Sequence, residues 1–217
     1  MTIALVNPNT SAATTEAMVA IAQETAGVRA DIKGVTAPFG APLITDPDTL
    51  AVAADAVLTL APTLGEYDGV IVAAFGDPGL FAVRERLPCP VTGIAEAGME
   101  EAGAGGRRFA VVTTTPELRA SIVETAERYG HYAFAGTFIT PGDPHQLMAD
   151  ADGLVAALGD ACHAAVAEGG ADAVVIGGGP LAQAARVLAA TVPVPLIEPV
   201  PAAVRLSLAR LAERRPS

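Results

Sequence analysis

The sequence predicts an α/β protein of two similar lobes, each with a short parallel sheet, and a cleft between the lobes. Two short apolar runs, 70–72 and 173–176, each end abruptly in a Gly-rich corner. Runs of β-branched residues like these are typical of strands buried on both faces of a parallel sheet. The same series of elements also occurs twice: strand, polar loop, helix, strand, proline loop, helix, strand and Gly-rich corner. We therefore expect a structural duplication.

The first half begins with a strand over 3–6 and a polar loop in which Thr10 or Ser11 can cap the following helix. A hydroxyl there would satisfy free N–H groups, and Gly27 marks the end of that helix. Three prolines predict a loop over 37–47. The remaining predicted elements are strands over 29–36, 70–72 and 91–94 and helices over 49–60, 81–87 and from 96 to the glycines at 103–106.

The second half repeats this order. The Gly-rich piece 103–106 precedes a strand instead of following one, so we interpret it as a turn and not as a phosphate loop. The predicted elements are strands over 108–112, 133–138, 171–176 and 194–197, a proline loop over 140–145, and helices over 116–129, 153–168 and 202–214. The closing helix is expected to return to the first lobe. The predicted lobes are 1–97 with 199–217, and 98–198.

Charge and composition exclude several classes of partner. The formal net charge of −11 opposes binding to nucleic acid and to anionic membrane surfaces. Apolar runs are all shorter than the roughly 20 residues that span a bilayer, and the first residues lack the features of a signal peptide. We expect a cytoplasmic homo-oligomer that binds a small molecule. Cys89 and Cys162 have neither metal-site nor disulfide-framework spacing, and we interpret both as packing residues.

Four predicted loops leave strand carboxyl ends, where open α/β sheets bind their ligands. These loops expose hydroxyls, amides and backbone N–H groups, which bind carboxylates and other small anions well. The candidate binding residues in them are Asn7, Thr10, Gly76, Thr113, Thr114, Gly178 and Gly179. The alternative is structural: Thr10, Ser11 and Thr114 would then be helix caps, and the glycines would only form tight turns.

At these loops the sequence resembles the aspartate/glutamate/hydantoin racemase family from end to end. Four segments carry the resemblance in the right order: 7–11 (Asn-Pro-Asn-Thr-Ser), 73–80 (Ala-Ala-Phe-Gly-Asp-Pro-Gly-Leu), 93–97 (Gly-Ile-Ala-Glu-Ala) and 109–114 (Phe-Ala-Val-Val-Thr-Thr). The resemblance implies two flavodoxin-like lobes in a pseudo-twofold relation and no metal or organic cofactor. It also implies catalysis by two cysteines, one per lobe, acting on opposite faces of an acidic carbon.

The sequence departs from the family at both catalytic positions. The family's first cysteine aligns with Ala74 and its second with Gly178, and neither replacement can carry a proton. Asp77 is the best-placed ionisable residue, and in a partly dry site its pKa could rise enough for a general base. Asp77 could instead cap its own turn. Glu198 is a second candidate acid, or the partner of Arg205 in a salt bridge.

His145, in the second proline loop, could reach over the cleft, although an ordinary surface histidine is the simpler interpretation. The sequence therefore supports two hypotheses. The first is a cofactor-independent enzyme acting on an acidic carbon of a small carboxylate or cyclic ureide, as a racemase, isomerase, lyase or decarboxylase, with Asp77 or Glu198 moving the proton. The second is a protein that binds such a compound without turning it over.

Overall fold

Two four-stranded sheets, each entirely parallel, organise the chain in a computed structural model that describes residues 1–178 and 181–214. The predicted α/β class with two parallel sheets is thereby confirmed. The strands predicted to be buried on both faces, Gly69–Val72 and Ala173–Ile176, are buried along their whole length. Their apolar β-branched side chains are removed from water by the helices that cover each sheet.

The first half of the chain builds the first sheet and the helices around it. Its elements are β1 (Thr2–Asn7), α1 (Ala12–Ala26), β2 (Asp31–Thr36), α2 (Pro47–Leu64), β3 (Gly69–Val72), α3 (Leu80–Arg84), β4 (Val91–Gly93) and α4 (Ile94–Ala102). The predicted caps of α1 are confirmed. The Ser11 hydroxyl accepts from the amide of Thr14 at 3.2 Å, and Gly27 ends the helix with a φ of 57°.

The second half builds the second sheet. Its strands and helices are β5 (Phe109–Thr113), α5 (Arg119–Arg128), β6 (Phe134–Ile139), α6 (Pro144–Ala149), α7 (Ala151–Ala167), β7 (Ala173–Ile176), α8 (Ala182–Leu188), β8 (Leu196–Ile197) and α9 (Pro199–Glu213). Short 3₁₀ turns at Ala104–Gly106 and Pro116–Leu118 flank β5.

Two elements differ from the prediction. The segment predicted as a loop over 140–145 is a loop only up to Asp143, and its last two residues begin α6. Asp143 is the N-cap and accepts from the amide of Gln146, and Pro144 takes the first helical position. Helix α8 follows the second Gly-rich corner, where no helix was predicted.

The strands follow the same order in both sheets: β2-β1-β3-β4 in the first and β6-β5-β7-β8 in the second. In each sheet the direction of winding therefore changes between two central strands, β1 and β3 or β5 and β7. Ligands of doubly wound sheets bind at this switch point, at the carboxyl ends of the strands. Each lobe thus has one position where its topology favours a ligand.

Contacts divide the chain into two units: 1–44 with 48–97 and 200–217, and 45–47 with 98–199. Each unit has its own apolar core. In the second unit, side chains of α7 and α8 pack on β5 and β7 in one cluster that includes Leu158, Cys162 and Leu188. Among the helices of the described residues, none combines the length and the hydropathy needed to cross a bilayer.

Candidate functional site

The exits of the two switch-point strands are built by the same backbone hydrogen bond in both units. The amide of Ala73, just past β3, donates to the carbonyl of Val6 at 2.8 Å. The amide of Gly177, just past β7, donates to the carbonyl of Val112 at 2.7 Å. The next residues, Ala74 and Gly178, therefore hold equivalent places in the duplicated fold. Both are partly exposed.

The loop after β1 is held in shape by the buried side chain of Asn7. Its Nδ2 donates to Asn9 Oδ1 at 2.8 Å, to the Ser11 carbonyl at 3.1 Å and to Thr15 Oγ1 at 3.0 Å. Its Oδ1 accepts from the amide of Asn9 at 3.1 Å. Asn9 Oδ1 also accepts from the amide of Ser11 at 2.9 Å. The visible contacts of Asn7 thus order the loop, and its contact with a ligand stays a prediction.

Thr10 ties this loop to the segment after β2. Its amide donates to the carbonyl of Ala41 at 3.0 Å, and the amide of Ala37 donates to the carbonyl of Asn7 at 2.9 Å. The chain from Ala37 to Ala41 is therefore fixed beside the carboxyl end of β1. It lies next to the switch point of the first sheet.

The corner after β3 has an unusual backbone. Gly76, Asp77 and Gly79 all have positive φ, of 101°, 50° and 75°. Among the described residues Asp77 is the only non-glycine with positive φ, a conformation in which Asp is enriched but which still costs free energy. Gly79 is required for a second reason, since a Cβ there would lie 3.0 Å from the carbonyl oxygen of Ala54 in α2.

Asp77 caps the helix that follows the neighbouring strand. Its two carboxylate oxygens accept from the amides of Ala95 at 2.8 Å and Glu96 at 2.7 Å, in the first turn of α4. The side chain is buried, with 5% of the residue exposed. Backbone amides at a helix N-terminus are good hydrogen-bond donors to a carboxylate. The contacts shown thus anchor the corner to α4, whereas proton transfer by Asp77 stays a prediction.

A glycine makes room for this carboxylate. A Cβ built on Gly93, the last residue of β4, would lie 2.2 Å from both Cγ and Oδ2 of Asp77. No side chain fits at Gly93 while Asp77 keeps this position.

Glu96, whose amide donates a hydrogen bond to Asp77, forms salt bridges with two arginines through its own side chain. Arg84 Nη2 lies 2.8 Å from Oε2 and Arg210 Nη2 lies 2.9 Å from Oε1. Both arginines also donate to the carbonyl of Val91 in β4. Burial alone would raise the pKa of Glu96, but the hydrogen bond and charge of Arg210, the charge of Arg84 and the amide of Gly93 outweigh burial and lower it. The network locks α3, α4 and α9 onto β4.

Hydroxyls surround the equivalent exit in the second unit. The Thr113 hydroxyl donates to the carbonyl of Gly177 at 2.9 Å and lies 3.1 Å from the Thr115 hydroxyl. Thr113, Thr114 and Thr115 are all buried. The backbone of Gly178 has no positive φ, and a Cβ there would meet Leu181 Cδ1 at 3.0 Å. Gly179, the remaining predicted binding residue, lies outside the described residues.

The other polar candidates lie elsewhere in the second unit. Glu198 follows β8 and pairs with Arg186 of α8, with Oε2 3.3 Å from Nε. Its role in proton transfer stays a prediction. His145 lies in the first turn of α6, in the segment predicted as a loop.

The two cysteines do not lie at either strand exit. Cys89 precedes β4, at the amino end of that strand, and Cys162 is fully buried in the core under α7. Burial raises the pKa of both thiols, that of Cys162 to about 12. Both thiols are therefore protonated near neutral pH. Within residues 1–178 and 181–214, no group of three or more metal-binding side chains comes together.

These features define a class of protein: a duplicated, doubly wound α/β protein with ligand-type loops at two equivalent switch points. The family model described as Asp/Glu/Hydantoin racemase matches residues 3–207. The chain belongs to this family of racemases. The resemblance of the four sequence segments to the family is confirmed.

Relatives with named activities match along nearly the whole chain. Hydantoin racemase of Rhizobium meliloti is 31% identical over 221 residues, covering 97% of this chain and 89% of that protein. The structure of allantoin racemase from Klebsiella pneumoniae is 35% identical with a TM-score of 0.90, covering 98% of this chain and 88% of that one. Allantoin racemase from Pseudomonas fluorescens is 28% identical with a TM-score of 0.92, covering 98% and 92%. Arylmalonate decarboxylase, 17% identical with a TM-score of 0.65, shares the fold.

Sequence reasoning missed two residues that shape the site, Asn9 and Gly93. Asn9 carries a usable signal, since an Asx residue two positions after another in a Pro-containing turn often bonds to the loop backbone. Gly93 carries no comparable signal. A glycine is needed there because of the side chain of Asp77, which lies next to Gly93 only in the folded chain.

Proposed function

We propose that this protein is a cofactor-independent enzyme acting on the acidic carbon of a cyclic ureide, a hydantoin or allantoin. The observation that carries the proposal is family membership over residues 3–207, together with relatives of 28–35% identity named for these two substrates. Removing the ring proton beside the carbonyl produces an enolate-like intermediate. Backbone amides and hydroxyls at the strand exits are the groups suited to stabilise its negative oxygen.

Proton transfer must differ from the two-thiol mechanism that the resemblance implies. Ala74 and Gly178 carry no ionisable group, and the pKa of each of the two thiols in the chain is raised. Asp77 and Glu198 remain the proposed proton carriers. A water molecule beside Ala74 or Gly178, where the family has its cysteines, is a further possible proton carrier. Loss of CO₂ from a substituted malonate would need only one proton delivery, so decarboxylation belongs to the same proposal.

A second candidate function is binding of a ureide or carboxylate without turnover. The absence of both family cysteines, at Ala74 and Gly178, favours this function. The cytoplasmic location and the homo-oligomeric state also stay predictions. Neither affects the test of activity.

Proton NMR in deuterium oxide separates the two functions. Single enantiomers of allantoin and 5-benzylhydantoin, with a substituted malonate, are incubated with the protein at neutral pH. Loss of the ring-carbon proton signal, or of the malonate's signals, faster than in buffer establishes the enzyme, and optical rotation then shows whether the ring carbon is inverted. A ligand-induced rise in melting temperature without any exchange favours the binding protein. An Asp77→Asn variant that is folded and fully active would rule out proton transfer by Asp77, and Glu198→Gln tests Glu198 in the same way.

A further inference from the structure

An apolar surface borders the switch point of the first sheet. Residues 37–44 (Ala-Pro-Phe-Gly-Ala-Pro-Leu-Ile) contain no polar side chain. Phe39 and Val52 are large apolar residues of which 42% remains exposed. Val52 lies against the residue that follows Phe39, since a Cβ at Gly40 would contact Val52 Cγ1 at 3.7 Å.

This surface is joined to predicted site residues on both sides. On one side the Thr10 amide holds Ala41, two residues after Phe39. On the other side Leu50, in the first turn of α2, packs over Gly76, since a Cβ at Gly76 would lie 3.5 Å from its methyl groups. Leu50 therefore lies against the β3 corner, Phe39 lies in the segment that Thr10 of the β1 exit loop holds, and Val52 lies against that segment. We name Phe39, Leu50 and Val52 the apolar wall.

We infer that the apolar wall contacts the substituent on the reacting carbon and selects substrates with an apolar substituent. The inference rests on the proposed function and names its substrate class: hydantoins carrying an aliphatic or aromatic group at carbon 5, in preference to allantoin, whose substituent is a polar ureido group. A polar substituent placed against the apolar wall would lose its hydrogen bonds to water and gain none in return. An apolar substituent would remove its own surface and that of the apolar wall from water, which favours binding.

The test measures dissociation constants by NMR titration, which does not depend on turnover. The ligands are allantoin and hydantoins with methyl, isopropyl, isobutyl and benzyl groups at carbon 5. Affinity is expected to rise by about fourfold for each methylene that reaches the apolar wall, with 5-benzylhydantoin binding at least ten times more tightly than allantoin. The double variant Phe39→Ser, Val52→Ser should reduce that preference several-fold. Val28→Ser is the matched control, because Val28 is fully exposed in the turn between α1 and β2.

Allantoin binding as tightly as 5-benzylhydantoin would overturn the inference, as would an unchanged preference in the double variant or a lack of binding by all five compounds. Deuterium exchange on the same samples keeps the two proposals apart. A graded preference without exchange supports the apolar wall and contradicts the enzyme. Exchange of allantoin with no apolar preference supports the enzyme and contradicts the apolar wall.

Discussion

The carboxylate of Asp77 occupies the space that a side chain at Gly93 would need, since a Cβ at Gly93 would lie only 2.2 Å from it. The relationship joins the β3 corner to the end of β4. Asp77 holds a positive φ of 50°, and its bonds to the amides of Ala95 and Glu96 offset the cost of that backbone. The corner beside Ala74 is thus anchored to a neighbouring strand and helix.

Gly93→Ala is expected to destabilise the protein by about 1–3 kcal/mol, the usual cost of overpacking a filled site. Chemical denaturation measures this change. Gly65→Ala is the matched control, because a Cβ there finds only Pro88 Cδ at 3.9 Å. If the clash with the carboxylate is the cause, the cost of Gly93→Ala falls in an Asp77→Ala background. Equal costs in both backgrounds would show that another contact excludes a side chain at Gly93.

Glu96→Gln should destabilise the protein at neutral pH by about 1–3 kcal/mol, since two arginines lose a charged acceptor. The pKa of Glu96 is lowered in the folded protein below its ordinary value of 4.5. Its contribution is therefore fully present above pH 4.5 and is lost as the pH falls through the folded-state pKa. The stability difference between the wild type and Glu96→Gln should accordingly shrink below pH 4.5.

Melting temperatures measured between about pH 3 and pH 8 check how this stability difference depends on pH. This range brackets the ordinary pKa of a carboxyl group. Glu213→Gln is the control, because Glu213 is exposed at the end of α9, the helix that also carries Arg210. A difference between the wild type and Glu96→Gln that stays constant down to the acid end would contradict the lowered pKa.

The sequence is sufficient for the fold class and for most of the strands and helices, because these depend on patterns that lie close together along the chain. The apolar run Val70–Val72 and the Ser11 cap each identify an element locally. The helix at Pro144 is not predicted because Pro141 and Pro144 are both loop signals, although Asp143 followed by Pro is also a helix start. The candidate site was predicted as a set of strand-end loops. Its contacts were not, since the Asp77–Gly93 relationship depends on the register of β3 and β4.

The double variant Cys89→Ala, Cys162→Ala should keep any deuterium exchange that the wild type shows. Both thiols lie away from the strand exits, and burial raises the pKa of each. The double variant should be less stable, because removing the buried sulfur of Cys162 leaves a small cavity that lowers the free energy of unfolding by about 1 kcal/mol. Exchange rates normalised to the folded fraction give the comparison. Loss of exchange in the folded variant would show that a thiol does take part.

Installing thiols at the two equivalent exits should produce two-base racemisation. Ala74 and Gly178 each follow a residue whose amide bonds to the neighbouring central strand, so Ala74→Cys with Gly178→Cys places one thiol in each lobe. General acid–base catalysis contributes about 100-fold or more, and we expect the double variant to racemise a hydantoin at least that much faster than the wild type. Leu181 must shift slightly, because a Cβ at position 178 meets its Cδ1 at 3.0 Å.

The matched control is Ala74→Ser with Gly178→Ser, which adds similar volume at both positions but a far weaker base. Polarimetry gives the rate of inversion, and deuterium exchange gives the rate of proton removal. Each single cysteine variant should exchange the ring proton with less inversion than the double variant, because the two-cysteine mechanism that the resemblance implies needs one thiol for each face of the carbon. Equal inversion rates in the serine and cysteine double variants would mean that positions 74 and 178 do not face the reacting carbon.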